Sequence, residues 1–201
     1  MNTESHILMG KFLCGYVGSH YGISLNQRSF VLGNVLPDYC PSFLTSPHYL
    51  KNNSSYVQHV IRAVTPLTSS ACNDKKRSRL LGILCHFYAD FFCFAHNSGF
   101  TGGLYEHIAY EKELYHFFRE NFQQIGSIRF VSRPIPGARP EEIYRQFESL
   151  HSSYLLSRPS LGNDLLYAMM ACIDAIVLTC GCTAVEITQT NLHQSHKLQV
   201  V

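Results

Sequence analysis

In His86-Phe-Tyr-Ala-Asp90, His96 and His107-Ile-Ala-Tyr-Glu111 the chain places five imidazoles and carboxylates within 26 residues. Neutral imidazole nitrogens and ionised carboxylate oxygens are ordinary ligands for zinc at about 2 Å. Residues four apart on a helix share a face, about 6 Å apart along the axis, so His86 with Asp90 and His107 with Glu111 can each converge on one cation. At about 100° per residue, Asp90 lies about 40° from His86, whereas His96 falls about 80° to the other side. On a continuous helix His96 therefore leaves the His86 and Asp90 row and serves a neighbouring ion. The glycines at 99, 102 and 103 break the chain and fold it back, so that His107 and Glu111 meet His96 from the next helix. The phases give one cluster around His86 and Asp90 and another around His96, His107 and Glu111. A set of two histidines and one carboxylate leaves positions for water and substrate.

The first cluster needs more partners, and two upstream loops offer them. Asp38 closes Gly33-Asn-Val-Leu-Pro37-Asp38, and His48 follows Ser46-Pro47. Each stands beside a proline that stiffens the backbone and aims the side chain. His6 lies in the first helical stretch. Its rival His20 shares roughly that face but sits about 21 Å further along a continuous helix, so the two cannot share a site. His59, His116 and His151 read as ordinary, and His193 and His196 belong to the polar tail.

The elements that must position these groups are helical almost throughout. Apolar residues recur at helical spacing over 5–20, and 27–36 forms a short second helix stopped by Pro37. A third helix covers 57–67, limited by Pro66. Asn73-Asp74 caps the longest helix, 75–96, whose Phe87, Tyr88, Phe91, Phe92 and Phe94 interleave the ligands and belong to the core. Helix 105–122 follows. A connection over 126–140 with an extended piece at 128–131 leads to two more helices, at 140–156 and 162–187. The expected architecture is all-α, a compact single-domain multi-helix bundle over 1–187 with a polar tail, 188–201.

Residues 165–185 are apolar over about the length of a bilayer span. Asp174 near the centre is costly in lipid. Small residues such as Ala168, Ala171 and Ala175 let other helices approach, so this segment reads as a buried central helix rather than a transmembrane one.

A histidine near the N-terminus, Gly-x-x-x-Pro-Asp at 33–38, His48, then His-x3-Asp-x5-His and His-x3-Glu resemble the zinc-dependent phospholipase C family. The ligand order is also similar to that of the fungal single-strand-specific nucleases. The resemblance covers residues 6–111 and implies a trinuclear zinc centre in an all-helical domain, of which two or three sites hold an ion. Carried over residue by residue, it implies that Asp38, His48, His86 and Asp90 hold one zinc and that His96, His107 and Glu111 hold a second. Asp90 would bridge to a third, completed by His6 and groups at the chain terminus. Secreted members use an N-terminal tryptophan whose amino nitrogen and carbonyl ligate the third zinc; this chain has no Trp, and Met1 could supply those backbone groups.

Clustered zinc ions suit phosphodiester hydrolysis, since they clamp phosphate oxygens and activate water. Asp38 is the candidate general base and the catalytic residue implied. A small phosphodiester or a phospholipid is the expected substrate, which leaves room for peripheral contact with a membrane. A nuclease or nucleotide phosphodiesterase with the same metal centre, or a non-catalytic metal-binding helical domain, are the alternatives. Neither a Ser-His-Asp arrangement nor a phosphate-binding glycine loop competes, the glycines at 99–103 being wrongly spaced for one.

Composition narrows the classes further. With 201 residues, 46% hydrophobic and 15% charged, the chain can bury one substantial core. A formal charge of +2 with scattered Lys and Arg gives no surface for long nucleic acid, and Lys75-Lys76-Arg77 opens a helix instead. The start carries no basic n-region or apolar h-region, so a cytoplasmic protein is expected. Eight cysteines (14, 40, 72, 85, 93, 172, 180 and 182) lie mostly in apolar patterns without a disulfide framework, and Cys180-Gly-Cys182 reads as small residues in a packed helix.

Overall fold

Short polar side chains open three of the helices. The Asn2 carboxamide accepts from the Ser5 amide at 3.0 Å, Asn26 from Ser29 at 3.1 Å and Asp74 from Arg77 at 2.9 Å, each satisfying an amide that the first helical turn leaves without a partner. The computed structural model describes residues 1–40, 48–65, 74–133, 135 and 137–180. Among them the order is α1 (Thr3–Tyr21), α2 (Gln27–Tyr39), α3 (Leu50–Val64), α4 (Lys75–Phe91), a 3-10 turn (Phe94–His96), α5 (Leu104–Glu120), α6 (Phe122–Ser127), α7 (Pro140–Leu156) and α8 (Leu161–Cys180), with no strand. The all-α architecture is as expected.

Helix α4 is the axis, packed by α2, α3 and α8. Phe87, Tyr88, Phe91 and Phe92 are at most 1% exposed, and Phe147 of α7 stacks on Tyr88 at 4.3 Å between ring centres. Full burial of such a side chain contributes about 1.5–3 kcal/mol, so the aromatics interleaving the ligands hold the helix in place. Helix α8 is long and apolar enough to cross a membrane by length and composition. It buries most of that apolar surface against α1, α4, α5 and α7, and Asp174 accepts from Gln146 of α7 at 3.0 Å. Arg77 is buried and donates to the Thr179 carbonyl near the end of α8, which ties the start of α4 to that helix. Residues 181–187 and the tail lie outside the described residues, as do Cys72, Cys182, His193 and His196.

Several element boundaries differ from expectation, each for a local reason. Helix α2 does not stop at Pro37 but runs through it to Tyr39. The proline forfeits only its own bond to the Gly33 carbonyl, and the ladder resumes with the Cys40 amide donating to Leu36 at 3.0 Å. Asp38 thus sits in the last helical turn, not in a loop. Helix α3 starts at Leu50 because its polar first turns form a solvent face while Asn53 and Val57 point inward. Helix α4 ends at Phe91 rather than at 96. The Asn97 side chain donates to the Phe91 and Cys93 carbonyls at 3.0 and 2.8 Å, taking acceptors left open by the helix end. The expected extended piece at 128–131 forms no ladder; the Tyr16 hydroxyl accepts from the Phe130 amide at 2.8 Å, and the Tyr21 hydroxyl donates to the Phe130 carbonyl at 2.6 Å.

Helices α2 and α4 meet backbone to backbone at Gly33 and Gly82. A Cβ on Gly82 would lie 2.2 Å from the Phe30 carbonyl oxygen, and one on Gly33 would lie 2.2 Å from that of Arg79. Neither carbonyl can move without breaking its helix. This approach brings Asp38 of α2 within reach of His86 of α4. Gly82→Ala should therefore destabilise the fold by about 1–3 kcal/mol, read as a drop in Tm of roughly 2–12 °C by circular dichroism. An unchanged Tm would show that the two helices can separate without cost.

Candidate metal centre

The last two turns of α4 set His86 and Asp90 facing α1 and α2. His86 Nδ1 lies 2.9 Å from the Asn34 carbonyl oxygen. Only an N–H can satisfy a carbonyl, so Nδ1 carries the proton and Nε2 points into the cluster. There Nε2 meets Asp90 Oδ2 at 3.3 Å and Asp38 Oδ1 at 3.8 Å. A lone pair aimed at two carboxylates calls for positive charge between them, supplied by a proton or a metal ion. His96 repeats the device, with Nδ1 3.3 Å from the His48 carbonyl and Nε2 2.9 Å from Glu111 Oε1.

Asp90 faces two sets of donors with its two oxygens. Oδ2 approaches His48 Nδ1 at 2.8 Å and His86 Nε2. Oδ1 approaches His6 Nε2 at 3.2 Å, His96 Nε2 at 4.0 Å and the Met1 amino group. That amino group also lies 3.0 Å from Glu111 Oε1 and 3.2 Å from His96 Nε2, and His107 Nε2 is 3.2 Å from the same Glu111 oxygen. His6, Asp38, His48, His86, Asp90, His96, His107 and Glu111 are all drawn into one cluster. Asp38 and His107 are its most open members, with side chains 22% and 24% exposed, whereas His6 and His86 are fully enclosed.

The electrostatics are those of buried anions ringed by bases. Burial pushes the Asp90 carboxyl up, but the Met1 ammonium, His96, His86 and His6 outweigh it and hold it well below the usual range. Glu111 is likewise lowered against its burial, by the Met1 ammonium and by hydrogen bonds from His107 and His96. Burial, with His86 alongside, lowers His6 to about 4. Burial lowers the Met1 ammonium, yet Asp90, Cys93 and Glu111 raise it well above normal.

These residues fit a zinc centre on the structure's own terms. Both ring nitrogens of His6 are buried without a hydrogen bond, although Nε2 lies close to Asp90. Unmade bonds of that kind cost about 1–3 kcal/mol each, and a cation at Nε2 satisfies that atom. Donor atoms fall within 4.8 Å of one another in three sets: His6, Asp38 and His86; His48, His86 and Asp90; Cys93, His96 and Glu111. Of the histidines outside the ligand set, His151 bonds the Phe91 carbonyl at 3.1 Å and so supports the end of α4, while His20 stacks on Tyr16.

Sequence reasoning missed Cys93 as a neighbour of the ligands, and it missed Asp164 as their brace. Asp164 is fully buried and accepts three hydrogen bonds of 2.8 Å, from the Phe94 amide and from the Tyr110 and Tyr154 hydroxyls. Phe94 opens the turn that carries His96, and Tyr110 precedes Glu111. One carboxylate thus fixes two ligand-bearing elements, a role whose only sequence signal is an acid at the head of an apolar helix. Asp164→Asn should weaken zinc binding by about 10–100-fold, measured by competition with a chromogenic chelator, with helical content retained. Wild-type affinity in that variant would show that Asp164 supports the fold without positioning the ligands.

A family model described as zinc-dependent phospholipase C matches residues 5–160, a span that contains all eight candidate ligands. No curated protein matches the chain, and no solved structure does. The match extends through α7 and covers well over half of the 201 residues, so the chain belongs to the zinc-dependent phospholipase C family.

Proposed function

We propose that the chain hydrolyses phosphodiesters, with the glycerol–phosphate ester of a phospholipid as its substrate and water as the nucleophile. The observation that carries this reading is Asp90, a buried carboxylate whose two oxygens face different donor sets in a cluster that reaches solvent at Asp38 and His107. Asp38, His48, His86 and Asp90 would hold one zinc, His96, His107 and Glu111 a second, and His6, Asp90 and the terminal groups of Met1 a third. When bound, such ions clamp non-bridging phosphate oxygens, lower the pKa of water and stabilise the leaving alkoxide.

The remaining work falls to the chain. Asp38 is the general base: Thr3 Oγ1 donates to its Oδ2 at 3.1 Å, leaving Oδ1 on the cluster side to take the proton of the attacking water. The Asn34 and His48 carbonyls keep His86 and His96 in the tautomer that presents Nε2. The enclosed floor of His6, His86 and Asp90 keeps bulk water from competing for the ligands.

The test compares chelator-stripped and zinc-reloaded protein on phosphatidylcholine, a chromogenic phosphodiester and single-stranded DNA. Zinc should restore hydrolysis of the first two, and Asp38→Asn should lower kcat by about 10²–10⁴-fold while the zinc content stays at two or more ions. Activity that survives chelation would remove the metal from the reaction. Cleavage of DNA without phosphatidylcholine would move the substrate to nucleic acid, and a single closed ion with no activity would make the domain a structural metal binder.

A further inference from the structure

Cys93 lies between two ligands in sequence and beside them in space. Helix α4 ends two residues earlier, and the chain tightens there: the Cys93 amide donates to the Asp90 carbonyl at 3.0 Å, and the His96 amide donates to the Cys93 carbonyl at 2.9 Å. Asn97 donates to that carbonyl at 2.8 Å. The backbone of Cys93 is thus locked on both sides. Its side chain is fully buried, and Sγ lies within 4.8 Å of donor atoms of His96 and Glu111.

A buried thiol usually serves as a small apolar filler. Cys93 is packed in the core like such a filler, but its sulfur also faces ligand donors. Burial, with Asp164, Glu111 and Asp90, raises its thiol to about 12 against the Met1 amino group, so only a bound cation would make it a thiolate, and imidazole and carboxylate are the companions of thiolate in zinc sites. Cys85 and Cys172 show the contrast: the Cys172 thiol donates to the Cys85 carbonyl at 3.5 Å between packed helices, and the described metal-donor sets include neither.

We propose that Cys93 is a thiolate ligand of the ion held by His96 and Glu111, an inference that rests on the metal-centre reading above. Binding removes the Sγ proton to solvent, and the freed sulfur pair forms the metal–sulfur bond, so no oxidant or reductant is needed. With Cys93, His96, His107 and Glu111 this ion would have four protein ligands, as many as the ion at Asp38, His48, His86 and Asp90.

Cobalt(II) in place of zinc tests the assignment without reference to activity. The cobalt-loaded protein should show a near-ultraviolet thiolate-to-metal charge-transfer band that is lost in Cys93→Ser and kept in Cys172→Ser. Zinc-edge X-ray absorption of the wild type should show a sulfur scatterer at about 2.3 Å, a measurement that stands even if Cys93→Ser fails to fold. Visible cobalt bands without charge transfer, or zinc with only nitrogen and oxygen neighbours, would overturn the thiolate ligand and leave the metal centre intact. Failure to bind cobalt or zinc at all would overturn both.

Discussion

The structure depends on a carboxylate placed where water cannot reach it. Asp90 is 1% exposed at the side chain, and an uncompensated buried carboxylate costs several kcal/mol. Every element near it serves to answer that charge. Helix α1 brings Met1 and His6, the segment before α3 brings His48, α4 itself supplies His86, and the turn after α4 brings His96. A fold that buried this acid without those neighbours would protonate it or open.

The compensation requires close and fixed backbones. Gly33 and Gly82 let α2 lie directly on α4, so that the Asn34 carbonyl can orient His86 while Asp38 reaches the same ring. On the far side, Asp164 at the head of α8 holds the turn with His96 and, through Tyr110, the helix with Glu111. Because the apolar helix α8 is packed within the core, its first turn is a rigid place from which to brace a site. The ligands come from four helices and two connecting segments, and the rigidity comes from α4 and α8.

What the sequence revealed follows the range of the interactions involved. His86 with Asp90 and His107 with Glu111 were legible because a spacing of four residues on a helix is a local fact. Helical phase separates His96 from the His86 row only on a helix continuous to residue 96. The real separation comes from a helix ending at Phe91 and closed by Asn97, a side chain whose cap depends on the chain having already turned. Pro37 misled for the opposite reason, since a helix near its end loses little by one missing donor. Asp164 and Cys93 were illegible as site residues because their partners lie on other elements: an acid before an apolar run and a thiol in an aromatic stretch look the same whether they fill space or hold ligands. The tyrosine hydroxyls that satisfy residues 128–132 are long-range in the same sense.

The centre also ties function to stability. His6 is lowered to about 4 by burial and by His86, so near neutral pH it is an uncharged base, and neither ring nitrogen makes a hydrogen bond. In the metal-free chain the ring answers Asp90 through the 3.2 Å approach of Nε2, while Nδ1 stays buried without a partner, at a cost of about 1–3 kcal/mol. A cation that accepts the Nε2 lone pair adds to what the ring contributes, and ligands that pair through a metal couple its binding to the stability of the fold. The residues that compensate Asp90 in the metal-free chain are therefore the ones that define what it binds.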